Sequence, residues 1–220
     1  MFGTNKILSA ESGDGLYLKV NSIFDTIQGE GIYSGFPSIF IRLAGCNLAC
    51  KFCDTEFDAY EEIHIDDILK KVNELSPDYK KLIVLTGGEP FRQPISLICQ
   101  KLVDGGFKVQ IETNGLLYRK IPEKVDVVCS PKNTGAGYKP IRKDLLTHVK
   151  ALKFLISSSN ELYQEVAEVG QKNTDIKIYV QPIDEMDAIL NRNNEELAMK
   201  IAIKHNAILS LQIHKILGIT

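Results

Sequence analysis

Three of the five cysteines in this 220-residue chain crowd into eight positions: Cys46, Cys50 and Cys53. They stand in the run Gly45-Cys46-Asn47-Leu48-Ala49-Cys50-Lys51-Phe52-Cys53-Asp54-Thr55. Thiolates held this close repel one another unless a cation neutralises them, so the C-x₃-C-x₂-C spacing points to a metal. Structural zinc normally takes four ligands in two separated pairs, and there is no second pair. Simple electron-transfer clusters take four cysteines. Three ligands on one loop therefore predict an iron–sulfur cubane with three irons tied to protein and the fourth open to a small molecule. Cys99 falls in an apolar helical stripe with Ile95, Ile98 and Leu102, and Cys129 closes an apolar run. Both read as core residues.

The elements that must position this loop can be read from hydrophobic pattern. Strands are predicted at 16–23, 38–43, 82–86, 108–112, 125–129, 152–156, 176–180 and 207–211. Helical periodicity covers 65–75 and 162–169, a proline-opened helix covers 94–102 before Gly105-Gly106, and a last helix spans about 195–205. Alternating strands and helices predict an α/β fold with a mostly parallel sheet. Five strands run into polar, turn-prone clusters: Thr86-Gly87-Gly88-Glu89-Pro90, Glu112-Thr113-Asn114-Gly115, Ser130-Pro131-Lys132, Gln181-Pro182 and Gln212-Ile213-His214-Lys215. In parallel sheets and barrels the carboxyl ends of the strands form the ligand face, so these clusters are expected to share one edge with the cysteine loop.

Composition narrows the function classes. Twenty-six basic residues against 28 acidic ones give a formal net charge of −2, and no basic run stands out. A phosphate-backbone partner normally needs a basic face, so no nucleic-acid partner is expected and the substrate is predicted to be small. No stretch approaches the ~20 apolar residues of a membrane span. Residues 1–15 lack the apolar core of a secretory signal, which together with an odd cysteine count predicts a cytoplasmic protein without a disulfide framework. No repeat or linker divides the chain, so one domain over residues 1–220 is expected.

The cysteine motif, with Phe52 before its last cysteine, and the Gly87-Gly88-Glu89-Pro90 turn together resemble the radical S-adenosylmethionine enzymes. The resemblance implies an incomplete (β/α) barrel, a [4Fe–4S] cluster on Cys46, Cys50 and Cys53, and S-adenosylmethionine chelated by the open iron. The cofactor carries the hard chemistry and the protein binds, orients and excludes water. By the same resemblance, Gly88, Glu89, Ser130, Pro131, Lys132, Gln181, Pro182, Ile183 and Asp184 contact the cofactor. Glu112 and Asn114 lie on the same face.

The flanking runs Ile23–Gly31, Gly35–Ser38, Arg42–Cys46 and Leu209–Gly218 are similar to one branch of that family, over nearly the whole chain. That branch contracts the ring of 6-carboxy-5,6,7,8-tetrahydropterin with loss of ammonia, on the route to queuosine and related 7-deazapurines. The likeness implies a carbon–nitrogen lyase that is a homodimer, requires Mg²⁺ and draws electrons from a donor such as a flavodoxin or ferredoxin. Arg42 would grip the substrate carboxylate in a two-pronged hydrogen bond. Ile27, Gln28 and Gly29 would read the pterin edge, with Thr86, His214 and Thr220 as further substrate contacts. From the residues alone, Asp54 and Thr55 are equal candidates for a hard cation; the resemblance selects Thr55 for Mg²⁺. Two competing readings are a glycyl-radical activase on the same scaffold and an iron–sulfur electron carrier.

Overall fold

The computed structural model describes residues 5–53 and 55–219. Nine strands form a single sheet in the order β3-β1-β2-β4-β5-β6-β7-β8-β9. They are β1 Tyr17–Ile27, β2 Pro37–Leu43, β3 Glu61–His64, β4 Leu82–Gly87, β5 Val109–Thr113, β6 Val125–Cys129, β7 Val149–Ile156, β8 Lys177–Pro182 and β9 Ile208–Leu209. From β2 to β9 every neighbouring pair is parallel. The two edges, β3 and β9, do not pair with each other, so the barrel is left open, as expected from the sequence.

The helices are α1 Ile65–Glu74, α2 Ser96–Asp104, α3 Lys143–Leu146, α4 Ala188–His205 and α5 Ile213–Leu217. Helix α4 begins seven residues before the predicted start, because Asp187 caps it by accepting from the Ile189 and Leu190 amides. Parallel strands buried on both faces need continuous apolar runs, and β4 supplies one: Leu82, Ile83, Val84 and Leu85 are all buried. Ile98, Cys99 and Leu102 of α2 pack in the same core. Cys99 and Cys129 are fully buried there, and burial pushes the Cys99 thiol up to about 12. Both are core side chains, as their apolar surroundings predict.

One expectation needs correction, and two features left no trace in the sequence. The first strand is the antiparallel member of the mostly parallel sheet, because the connection from Gln28 to Phe36 is too short for a crossover. Strand β3 has the polar sequence Glu61-Glu62-Ile63-His64 and carries no strand signal; it forms by edge pairing to β1. Over 162–169 there is no helix beyond a single 3₁₀ turn, Glu161–Tyr163. Val166 and Val169 still pack on the core, but from an irregular segment in which Glu168 accepts from the Gly170 and Lys172 amides. Side chains that satisfy the backbone locally compete with helix.

Candidate functional site

The cysteine loop leaves β2 at Leu43 and turns across the carboxyl end of β4. The two loops meet backbone to backbone. Gly88 donates to Leu43 O at 3.0 Å and Glu89 to Gly45 O at 3.0 Å. A Cβ on Gly87 would stand 2.2 Å from Leu43 O, and one on Gly88 2.0 Å from Gly45 O. Only glycine permits this approach, so the paired glycines first serve to seat the cysteine loop. Below it the buried Arg92 donates to Ala44 O at 3.2 Å and Gln93 to the same carbonyl at 3.1 Å. Residues 5–9 cover the outer side. Leu8 donates to Cys46 O at 2.8 Å, Asn5 Nδ2 to Thr55 O at 3.1 Å, and Ser9 O accepts from Arg92 at 3.1 Å.

A cavity of about 740 Å³ opens over the carboxyl ends of the parallel strands. It is lined by all three motif cysteines and by Ile27, Gln28, Arg42, Thr55, Thr86, Gly88, Ser130, Lys132, Gln181, Pro182, Ile183, Asp184 and His214. The fold therefore collects residues from β1 to the last helix at one edge. Gly29, Glu89 and Pro131 do not line it. Thr220 and Asp54 lie outside the described residues.

The donor set suits a cluster. Burial pushes the Cys46 thiol up to about 12, with Glu89 and the other two cysteines adding to the rise. These thiols need a cationic partner to ionise. Lys132, whose charge favours the Cys50 thiolate, is tied to Ser130 by bonds of 2.7 Å to its carbonyl and 2.6 Å to its hydroxyl. Burial lowers the pKa of Lys132, while the neighbouring Cys50 acts in the opposite sense. Phe52 packs edge-on against the buried Tyr163 at 4.9 Å, which fixes the turn between the second and third cysteines.

Arg42 and Thr55 come together: the Arg42 guanidinium donates to Thr55 Oγ1 at 3.3 Å and lies over the Phe24 ring at 5.4 Å. Thr86 is the register partner of Arg42 on the neighbouring strand. Gln28 is almost fully buried and both ends of its amide are engaged, one donating to Glu112 at 3.0 Å and the other accepting from the Glu30 amide at 3.1 Å. His214 is not at a strand end, since β9 stops at Leu209; it sits in the first turn of α5, packed against Gly29, where a Cβ would meet its ring. Asp184 pairs with Lys215 at 2.9 Å. Burial alone would raise the Asp184 pKa, but bonds from Lys215, Met186 N and Asn191 outweigh it and hold the carboxyl at about 2.

Glu89 departs most from its sequence reading. It is completely buried, and its oxygens accept from Phe91 N at 3.1 Å, Thr113 Oγ1 at 2.8 Å and Asn114 N at 2.8 Å. It thus braces the end of β4 against the end of β5, and burial raises its pKa to about 7. Two charged residues escaped the sequence reading. Lys153 is only 5% exposed in the middle of β7 and bonds to Glu30 across the cavity. The signal was present: a lysine interrupts the run Ala151-Leu152-Lys153-Phe154-Leu155-Ile156, and lysine is almost never buried unless paired.

The radical SAM superfamily profile matches residues 40–131, from β2 through the cysteine loop and the glycine turn to Pro131. Fold and site together thus place the chain in the class of radical S-adenosylmethionine proteins. Over 224 aligned residues it is 57% identical to the 7-carboxy-7-deazaguanine synthase of Rickettsia prowazekii (strain Madrid E), covering 100% of this chain and 96% of that one. The protein of the same name from Rhodospirillum rubrum is 35% identical over 72% of this chain and 66% of its own length. The crystal structure of QueE from Escherichia coli superimposes with a TM-score of 0.70 at 26% identity, covering 92% of this chain and 99% of that one. The chain belongs to the 7-carboxy-7-deazaguanine synthase family.

Proposed function

We propose that this protein, acting as one domain, converts 6-carboxy-5,6,7,8-tetrahydropterin to 7-carboxy-7-deazaguanine. All carbons are kept and one ring nitrogen leaves as ammonia. The observation that carries the reading is the Arg42–Thr55 pair beside the three cysteines in one cavity. A guanidinium fork fits a carboxylate, and a neighbouring hydroxyl fits a hard cation that the same carboxylate would help hold. Cys46, Cys50 and Cys53 would hold a [4Fe–4S] cluster, which with S-adenosylmethionine would supply radical hydrogen abstraction from carbon.

The chain's own work is placement. Arg42 fixes the carboxylate end of the heterocycle, Thr55 offers its hydroxyl to Mg²⁺, and Thr86 bounds the ring from the adjacent strand. Gln28 and His214 face the pterin edge, and Gly29 serves them from behind by seating the His214 ring. Ser130, Lys132, Gln181 and Asp184 form the side that takes the cofactor's ribose and amino-acid groups. Glu89 and Pro131 serve that side from behind, by shaping the turns. An external one-electron donor of the flavodoxin or ferredoxin type and a homodimeric assembly complete the proposal.

The test is turnover. Reconstituted, reduced protein with S-adenosylmethionine, Mg²⁺ and the carboxypterin is expected to release ammonia and the deazapurine in equal amounts. Cofactor cleavage without deazapurine would overturn the substrate assignment and favour a protein-activating radical enzyme. An electron paramagnetic resonance signal of the reduced cluster that does not respond to S-adenosylmethionine would overturn the radical reading itself.

A further inference from the structure

One wall of the cavity holds more charge than the reading above uses. Glu30 lies just beyond β1 and bonds through Oε2 to Lys153 Nζ from β7. Its other oxygen accepts from Gln212 Nε2 at 2.8 Å, at the start of α5. Glu112 of β5 places Oε2 3.9 Å from the same ammonium, while its Oε1 accepts from Gln28 at 3.0 Å and Gln110 at 3.0 Å. All three charged side chains line the cavity, and the side chains of Lys153 and Glu30 are only 7% and 14% exposed. A lysine in a central strand of a closed core is expensive unless paired. Replacing such a buried pair by apolar residues is often neutral or stabilising, so folding stability alone does not account for it.

The geometry points to Lys153 as a positioning residue: its ammonium pairs with the Glu30 carboxylate and aims it into the cavity that Arg42 also lines, so that an anionic acceptor meets the N–H-rich edge of the bound heterocycle. This inference rests on the pterin reading of the site. Two carboxylates meet one ammonium on this wall, so the arrangement favours a ligand edge that donates hydrogen bonds over one that accepts them. A ring with amino and ring N–H groups at one end and a carboxylate at the other can meet Glu30 with the first and Arg42 with the second, both of which line the cavity. Burial by itself would push the Glu30 carboxyl up; the Lys153 charge, hydrogen bonds from Lys153 and Gln212, and the charge of His214 outweigh it and hold it down. The groups facing Glu30 are thus Lys153 from β7, Glu112 from β5 by way of the same ammonium, and Gln212 and His214 from the tail.

The test uses cluster-reconstituted full-length protein without reductant and the carboxytetrahydropterin itself, titrated anaerobically by calorimetry so that binding is read without turnover. Wild type is expected to bind it with a dissociation constant that changes less than twofold between pH 7.0 and 9.0, a window above the ordinary range of histidine. In Lys153→Met the Glu30 carboxyl loses its counter-charge and takes up a proton. Binding should weaken at least tenfold at pH 7.0 and recover several-fold toward pH 9.0. Lys153→Arg should restore most of the affinity and the flat profile. Glu30→Gln, nearly the same shape without the charge, should weaken binding similarly with no recovery at high pH. A flat, wild-type-like profile in Lys153→Met, or undiminished binding in Glu30→Gln, overturns the role of Lys153. Should Lys153→Met fail to fold, the Arg and Gln variants still decide. If wild type itself does not bind the carboxytetrahydropterin while still binding S-adenosylmethionine, the pterin reading falls instead.

Discussion

Gly88→Ala offers the sharpest check on how the site is built. A Cβ there would sit 2.0 Å from Gly45 O, where real Cβ atoms do not come within 3.0 Å, so the two loops must part by about 1 Å. That displacement stretches the Gly88 N–Leu43 O and Glu89 N–Gly45 O bonds, each 3.0 Å, beyond hydrogen-bond range. Leaving two buried backbone pairs unmade costs roughly 1–3 kcal/mol each, so about 2–6 kcal/mol in all. Gly35→Ala is the control. Gly35 has φ +90° and nothing within 4 Å of an added Cβ, so it should lose only the strain of a left-handed residue, ~1–2 kcal/mol. Urea unfolding of the cluster-free proteins measures both, and iron and sulfide content after reconstitution reads the consequence at the cysteines. We expect Gly88→Ala to fall below Gly35→Ala by 1 kcal/mol or more and to load less than half the iron. Equal stabilities and full cluster content would refute a rigid seat for the cysteine loop.

Further outcomes are expected. Arg42→Lys keeps a charge but loses the fork, and should raise KM for the carboxypterin roughly tenfold or more with iron content unchanged; loss of the cluster would make Arg42 a structural residue. Cys46, Cys50 or Cys53→Ala should each abolish the visible absorbance of the reconstituted cluster, whereas Cys99→Ala should keep it and cost stability as a small core cavity does, about 1–2 kcal/mol. Thr55→Ala should shift the Mg²⁺ dependence of turnover to higher concentration while leaving substrate-free cofactor cleavage intact. For Asp184 the depressed carboxyl contributes stability above its unfolded pKa, near 3.9, and loses it as pH falls through about 2. Lys215→Met should therefore be less stable than wild type at pH 7, by under about 1 kcal/mol for so exposed a pair, and the gap should close between pH 4 and pH 2 in acid–urea titrations.

What could be read from the sequence was whatever leaves a local trace. The cysteine spacing, the Gly87-Gly88 turn and the apolar runs of β4 and β6 fall where the pattern put them. So did the collection of strand-end clusters at one edge, because parallel topology dictates it. Long-range pairing hid the rest. Strand β3 is polar because it is an edge, and β1 turned antiparallel because of a short connection rather than any feature of its own residues. Glu89 stands in a cofactor-contact motif, yet its oxygens are taken by partners on β5 that only the fold brings near. Lys153 and Glu30 are 123 positions apart, and no local pattern couples them. The helix expected over 162–169 failed for the opposite reason: its apolar period was real, but local side-chain bonds from Glu168 and its neighbours satisfied the backbone another way.

The strip formed by residues 5–9 gives the cysteine loop its outer cover, yet it is held by little. Asn5 donates to Thr55 O and, at 3.8 Å, to Cys53 Sγ, Leu8 and Ser9 add one hydrogen bond each to the loop and to Arg92, and Ile7 and Leu8 are 69% and 40% exposed. Such a segment opens by local fluctuation at far lower free energy than the sheet beneath it. Air oxidation of the loaded cluster would then be gated by fraying of this strip rather than by global unfolding. Its rate should be insensitive to urea well below the unfolding midpoint, and should fall sharply in a variant that staples the strip to the Arg92 turn.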